Sequence, residues 1–227
     1  MGRSSLRLDT FEPARNAAQA SAAGFKTSSK SASLCQGDST CKEASMANVI
    51  KKLRIDHANM SRLLNELETQ LGLFHAGENP DYILMMDIMQ YMSHYPDLFH
   101  HPKEDLIFKR LIERDPSSRL VVKDLMQKHK TLAASGKQFA DSLRTVLSEV
   151  LVEREAFEVQ GRDYVKTLRR HIDVEESQVF PLAQRVLNDE DWKDIDNAME
   201  AIEDPLFGTT VQQEYRALYD YIRHQSE

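Results

Sequence analysis

His100-His101-Pro102-Lys103-Glu104-Asp105 and His171-Ile172-Asp173-Val174-Glu175-Glu176 share one pattern: a histidine, a glutamate four residues later, then a second acidic residue. Phe108 and Val179 follow at matching offsets, and so do Leu111 and Leu182. One helix upstream of each copy, at nearly the same interval, a lone histidine stands in an apolar stripe: His57 before the first, His129 before the second. The chain reads as two helix pairs related by an approximate internal repeat.

Residues four apart lie one above the other on a helix face, so a histidine and a glutamate at that spacing can reach one ion. An isolated pair of this kind is common on helix surfaces, and a single histidine in an apolar stripe is usually a satisfied core residue. Four core histidines with two glutamates, repeated at matching intervals, call for another reading. Glutamate is rarely fully buried without a partner. An ionised carboxylate in a dry core costs several kcal/mol even after relaxation, and a cation would relieve both glutamates at once. The spacing therefore points to a metal centre built from His57, His100, Glu104, His129, His171 and Glu175. Imidazole and carboxylate together suit iron or zinc, and carboxylates can bridge two cations.

The surrounding sequence supplies the helices. Ile50, Leu53, His57, Met60, Leu64, Leu67 and Leu71 make a stripe at steps of three and four residues. That helix ends around Gly72 to Gly77, with Asn79-Pro80 as the turn. A second helix is expected over Asp81 to Ile112, with Ile83, Leu84, Met86, Ile88, Met89 and Met92 apolar, kinked or divided by Pro96 and Pro102. Asp115 as cap and Pro116 in the first turn start a third. Leu120, Val121, Leu125, Met126, His129, Leu132, Ala133, Phe139, Leu143 and Leu147 are its expected buried side. The fourth covers about Arg154 to Leu187, with Phe157, Tyr164, Leu168, His171, Val174, Phe180 and Leu182. Two shorter segments follow, Glu190–Glu203 and Val211–His224, separated by Asp204-Pro205-Leu206-Phe207-Gly208. No strand pattern is visible. The expected fold is all-α: an antiparallel four-helix bundle over residues 46–187, with C-terminal helical segments over 188–227.

Residues 1–45 have neither helical nor strand periodicity, are rich in Ser and Ala, and contain no apolar signal core; they are expected to be disordered. Met46, which opens the patterned segment, is an alternative start. The 227 residues, 41% hydrophobic and 29% charged, suit one soluble domain with attachments. A net charge of −7 argues against nucleic acid as a partner. No apolar run approaches the roughly 20 residues that span a bilayer, so no membrane is expected. Cys35 and Cys41 are too close together to staple the fold, and are read as reduced thiols in a cytoplasmic setting.

The segments Ile55-Asp56-His57, Tyr95-Pro96-Asp97-Leu98-Phe99-His100-His101-Pro102-Lys103-Glu104-Asp105, Lys128-His129-Lys130 and His171-Ile172-Asp173-Val174-Glu175-Glu176 resemble the hemerythrin-like, HHE cation-binding domain family over roughly Met46 to Leu187. The resemblance implies a non-haem di-iron site with His57, His100, His129 and His171 as terminal ligands and Glu104 and Glu175 as bridges. It also implies dioxygen or nitric oxide as the small ligand. Oxygen-carrying hemerythrins use five histidines, two of them four apart on the third helix, where this chain has Ala133. That leaves the fifth nitrogen open between His101, His94 and none. Neighbouring helical residues point about 100° apart, so His101 and Glu176 read first as supporting or surface groups.

His75, placed in the loop after the first helix, and His224 are read as solvated. Tyr91, Tyr95 and Tyr164 are candidate hydrogen-bond donors near the cluster, and Met85, Met86, Met89 and Met92 are read as core rather than a copper site. Three functions remain in competition: a di-iron protein that binds or senses a diatomic; a di-iron oxidase, peroxidase or nitric-oxide or iron-centre repair factor; and a helical interaction module with a structural polar core. Zinc is the lesser alternative to two iron ions.

Overall fold

A computed structural model describes residues 38–199 and 202–225, with side chains from Asn48 onward. Eight α-helices are described: α1 (Asp38–Ala76), α2 (Tyr82–Tyr95), α3 (His101–Arg114), α4 (Arg119–Leu147), α5 (Arg154–Val174), α6 (Phe180–Val186), α7 (Asp189–Ala198) and α8 (Arg216–His224). Two π-helical turns join them in line: π1 (Pro96–His100) between α2 and α3, and π2 (Glu175–Val179) between α5 and α6. No strand occurs among the described residues.

The ends of the long helices follow from local chemistry. Gly77, at φ +80°, closes α1 in the left-handed conformation, and the Glu78 N–H reaches back to the Leu73 carbonyl. The Asp81 carboxylate caps α2 by accepting from the Leu84 N–H. Asp115 accepts from the Ser117 N–H and opens a 3-10 turn, Pro116–Ser118, that feeds α4. Glu153 accepts from the N–H groups of Glu155 and Ala156 at the start of α5.

Cross-helix pairs fix an antiparallel bundle. Between α1 and the fourth long helix, Arg54 meets Glu176, Asn65 meets Arg169, Leu71 meets Arg162, and His75 meets Glu158. The partner number falls as the α1 number rises, as opposed strands of a bundle require. Between α4 and α5, Ser142 pairs with Gln160, and the Phe139 ring lies 2.8 Å from where a Cβ on Gly161 would stand. That glycine lets the two helices close.

The core is divided into two apolar clusters. One contains Met60, Leu64, Leu67, Leu71, Met85, Ile88, Met89, Met92, Leu132, Phe139 and Leu168. The other contains Val49, Ile50, Leu53, Ile107, Phe108, Leu111, Val122, Leu125, Val179 and Phe180. On the first three long helices the histidines and glutamates named above fall between the residues of one cluster and those of the other; on the fourth, Glu175 does so and His171 lies beside Ile172, the last residue of the first cluster on that helix. A single polar layer thus crosses an otherwise apolar interior. Both C-terminal helices pack on the bundle. Trp192 and Ile195 of α7 join the second cluster, while Tyr215, Leu218 and Ile222 join the first.

Several details differ from the sequence expectation. Helix α1 begins at Asp38, not at Met46, since a helix held by a packed stripe propagates beyond it. The rest of the expectation for residues 1–45, together with Cys35 and the side chain of Cys41, lies outside what is described. The second long helix is divided at Pro96 into α2 and α3, but the two pieces run on through a π-helical turn rather than a loop. The chain passes through π1, and Pro102 sits in the first turn of α3, where its missing N–H is tolerated. Leu120 and Leu147 occupy the end turns of α4 and are exposed, as is Ile83 in the first turn of α2. His75 is in the last turn of α1 rather than a loop, and its side chain is 70% exposed. Among the described residues, no helix is long and apolar enough to cross a membrane.

Candidate metal centre

His57 comes from the middle of α1, His100 from the end of π1, Glu104 from the first turn of α3, His129 from α4, His171 from the end of α5, and Glu175 from the start of π2. All six are buried, with both glutamates at 0% exposure. The structure brings together every residue that the repeat singles out.

The two carboxylates reach in opposite directions. Glu104 turns Oε1 toward His57 Nε2 (3.2 Å) and His100 Nε2 (3.3 Å), and Oε2 toward His129 Nε2 (3.4 Å). Glu175 turns Oε2 toward His57 Nε2 (3.5 Å), and Oε1 toward His171 Nε2 (2.9 Å) and His129 Nε2 (3.6 Å). Each carboxylate therefore offers one oxygen to each half of the bundle, which is the disposition of a bridge.

These approaches are not hydrogen bonds. Nε2 of His57, His100, His129 and His171, and all four oxygens of Glu104 and Glu175, are buried without a hydrogen-bond partner. One orphaned buried polar atom costs about 1–3 kcal/mol, and more where the group is charged. Eight of them aimed into one space fit a cationic occupant, and the mixed nitrogen and carboxylate oxygen set suits a first-row transition metal.

The outward nitrogens are engaged instead. His57 Nδ1 meets Glu176 Oε1 at 2.8 Å, His100 Nδ1 meets Asp56 Oδ2 at 3.0 Å, and His129 Nδ1 meets Asp105 Oδ1 at 3.2 Å. A carboxylate on Nδ1 fixes the tautomer that leaves Nε2 free to ligate, and raises its basicity. His171 is the exception, with Nδ1 buried and unpartnered. The Tyr95 hydroxyl reaches Asp56 at 3.5 Å, whereas the Tyr91 hydroxyl donates to Asp204, away from the cluster. Burial raises the pKa of Tyr91, Tyr95 and Tyr164.

The electrostatics follow from the crowding of carboxylates. Burial alone would lower His57, but the facing Glu104 carboxylate, the Glu176 carboxylate on Nδ1 and the charge of Glu175 raise it to about 10. Burial likewise opposes His129, which Asp105, Glu104 and Glu175 raise to about 11. Glu104 is pulled upward by burial, yet His100, His129 and His57 hold it well below the usual carboxylate range. This is a site that attracts positive charge, as protons or as metal.

His101, one of the candidates for a fifth nitrogen, lies beside this cluster. It is 6% exposed, its ring stacks on His129 at 4.4 Å, and it lies edge-on to His171 at 5.8 Å. Donor atoms of His101, Glu104, His129 and His171 lie within 4.8 Å of one another, and those of His57, His100 and Glu104 form a second such group. Burial lowers the His101 pKa, only partly opposed by Asp97. The regular helical period places neighbours too far apart to share a target, and π1 removes that premise. The signal available in the sequence was the pair of prolines, Pro96 and Pro102, that brackets the two histidines. His94 lies against Phe99 and joins neither group of donors, and Glu176 supports His57 from outside.

Comparison with curated proteins gave no match. The description Hemerythrin HHE cation binding domain, by contrast, matches residues 48–183, a span holding both glutamates and every histidine of the polar layer. The chain belongs to the hemerythrin HHE cation-binding domain family, and the matched span contains buried histidines and glutamates between α1 and π2 that could hold a cation.

Proposed function

We propose that the protein holds two non-haem iron ions, with His57, His100, His129 and His171 as terminal ligands and Glu104 and Glu175 as bridges, and that it binds or senses dioxygen or a related diatomic. The observation that carries this reading is the splayed pair of glutamates, each oxygen turned to a different group of histidines. One tetrahedral zinc ion would use four of these donors and leave the others orphaned. Two ions would give both oxygens of each carboxylate a partner.

Bound iron supplies the redox-active pair that a diatomic such as dioxygen or nitric oxide meets. The protein's contribution is to orient and to exclude. Asp56, Asp105 and Glu176 hold three imidazoles with Nε2 inward. Phe180 stacks on His57 at 5.5 Å and Phe108 on His129 at 5.9 Å, so that apolar rings close the layer on the side of the second cluster. A dry layer strengthens the electrostatic hold on any cation inside it.

The test is anaerobic loading of the full chain with ferrous iron. The reading requires two irons per chain and an optical spectrum that changes on exposure to oxygen or nitric oxide and reverts on removal of the gas. A spectrum that never responds would overturn the diatomic reading, and a folded chain that takes up no iron would leave a structural polar core. Steady consumption of peroxide by the iron-loaded chain would assign it to the oxidase and peroxidase class instead.

A further inference from the structure

We propose that His101 is a fifth nitrogen ligand, so that one cation of the pair is held by three imidazoles (His101, His129 and His171) and the other by two (His57 and His100). The assignment rests on the metal-pair reading above and extends it to the division of ligands within the site.

The geometry repeats what the other ligand histidines do. His101 Nδ1 lies 3.2 Å from Asp97 Oδ1, one turn earlier on its own helix, as Asp56, Asp105 and Glu176 lie beside their histidines. His101 Nε2 is buried and has no hydrogen-bond partner. A histidine kept only for packing would gain nothing from carrying both an outward carboxylate and an orphaned inward nitrogen, and the orphan would cost about 1–3 kcal/mol. A ring nitrogen of His101 falls within the donor group that contains Glu104, His129 and His171.

The backbone shows how two consecutive histidines reach one site. The His101 N–H bonds to the Pro96 carbonyl, five residues back, and Pro102 follows without an N–H of its own. The wider turn of π1 sets His100 beside His57, with ring centroids 4.9 Å apart, and His101 onto His129, so the neighbours serve opposite ends of the layer. In the second half of the chain the matching position is Ile172, which is also buried but offers no nitrogen. The inequality of three and two is therefore written into the repeat. Position 133 of α4, one turn after His129, is Ala133 and offers no nitrogen, so the donor beside His129 comes from the second long helix.

Two measurements on the full chain test the assignment. In the protein loaded with cobalt(II), ligand imidazole N–H protons appear as paramagnetically shifted, solvent-exchangeable NMR signals; five are expected, and four would overturn the role of His101. In the ferrous protein and in His101→Gln, Mössbauer spectra and the rate of iron removal by a chelator are compared, with far-ultraviolet circular dichroism confirming the fold. Two unlike ferrous doublets are expected for the wild type. In the variant one doublet changes, and one iron leaves at least about tenfold faster. Identical spectra and removal rates in the two proteins would overturn the proposal while leaving the di-iron reading intact. A wild-type chain that binds neither metal would overturn both.

Discussion

The half of the bundle from α1 to α3 and the half from α4 to α6 carry the same motif, yet they are finished differently. In both, the acidic residue after the buried glutamate crosses to support the lone histidine of the other half: Asp105 holds His129, and Glu176 holds His57. The symmetry fails at two places. Asp56, just before His57, supports His100, whereas the matching Lys128 pairs with Asp124 and leaves His171 Nδ1 without a partner. His101 faces the site where its counterpart Ile172 offers only apolar surface. The cover differs as well. Helix α7 packs on α1 and α3, and α8 packs on α2, so both C-terminal helices wrap the first half. A repeat fixes the position of the ligands, while the groups around them decide how firmly each is held.

The largest effect is expected from losing what the halves share. Glu104→Ala or Glu175→Ala removes a bridge and should lower iron content from two per chain to none, measured by metal analysis after gel filtration. His75→Ala, remote and exposed, serves as the control and should retain both ions. One retained iron in Glu104→Ala would show that the halves bind independently.

Removing the support peculiar to the first half comes next. Asp56→Asn should weaken iron binding about 10- to 100-fold, by analogy with carboxylates behind other metal-ligating histidines. Chelator competition measures the change, and an unaltered affinity would mean that the His100–Asp56 contact does not tune the site. The converse change restores the repeat: Lys128→Asp should offer His171 Nδ1 a carboxylate and slow iron release by about tenfold. Unchanged or faster release would show that position 128 does not play the part of position 56.

The smallest effect concerns the wrapping. Asp191, 1% exposed, closes the cap of α7 with Asn188 and accepts from Arg114 at 2.9 Å. Asp191→Asn should cost about 1–3 kcal/mol of stability at neutral pH, read from denaturant unfolding, with little change in iron content. Burial pushes the Asp191 carboxyl up, but Arg114 and the Asn188 N–H hold it below its ordinary 3.8. A group whose pKa is lowered on folding contributes stability above its unfolded pKa and loses it as pH falls through the folded value. The gap between wild type and variant should therefore narrow below about pH 4. A gap that persists there would deny the carboxylate its role.

How far the sequence foretold this arrangement can be judged from particular residues. The apolar stripes of α1 and α4, the Asp115-Pro116 start and the spacing of His100 with Glu104 were legible because each depends on local chemistry and the 3.6-residue period. The convergence of the six buried histidines and glutamates was legible because buried glutamates require a partner. His101 was legible only as one candidate beside His94, since its direction depends on five-residue hydrogen bonding in π1, which no periodic reading contains. Asp56 and Asp97 escaped notice as supports. Their roles depend on the rotation of one helix against another and on that same turn. Leu120 was misread as core because a stripe does not reveal where the neighbouring helices stop.

The most direct test is crystallography of the iron-loaded protein with anomalous scattering at the iron edge. Two peaks about 3.5–4 Å apart, each touching one oxygen of Glu104 and one of Glu175, are the expected result. A single peak, or two peaks that the glutamates do not bridge, would contradict the account.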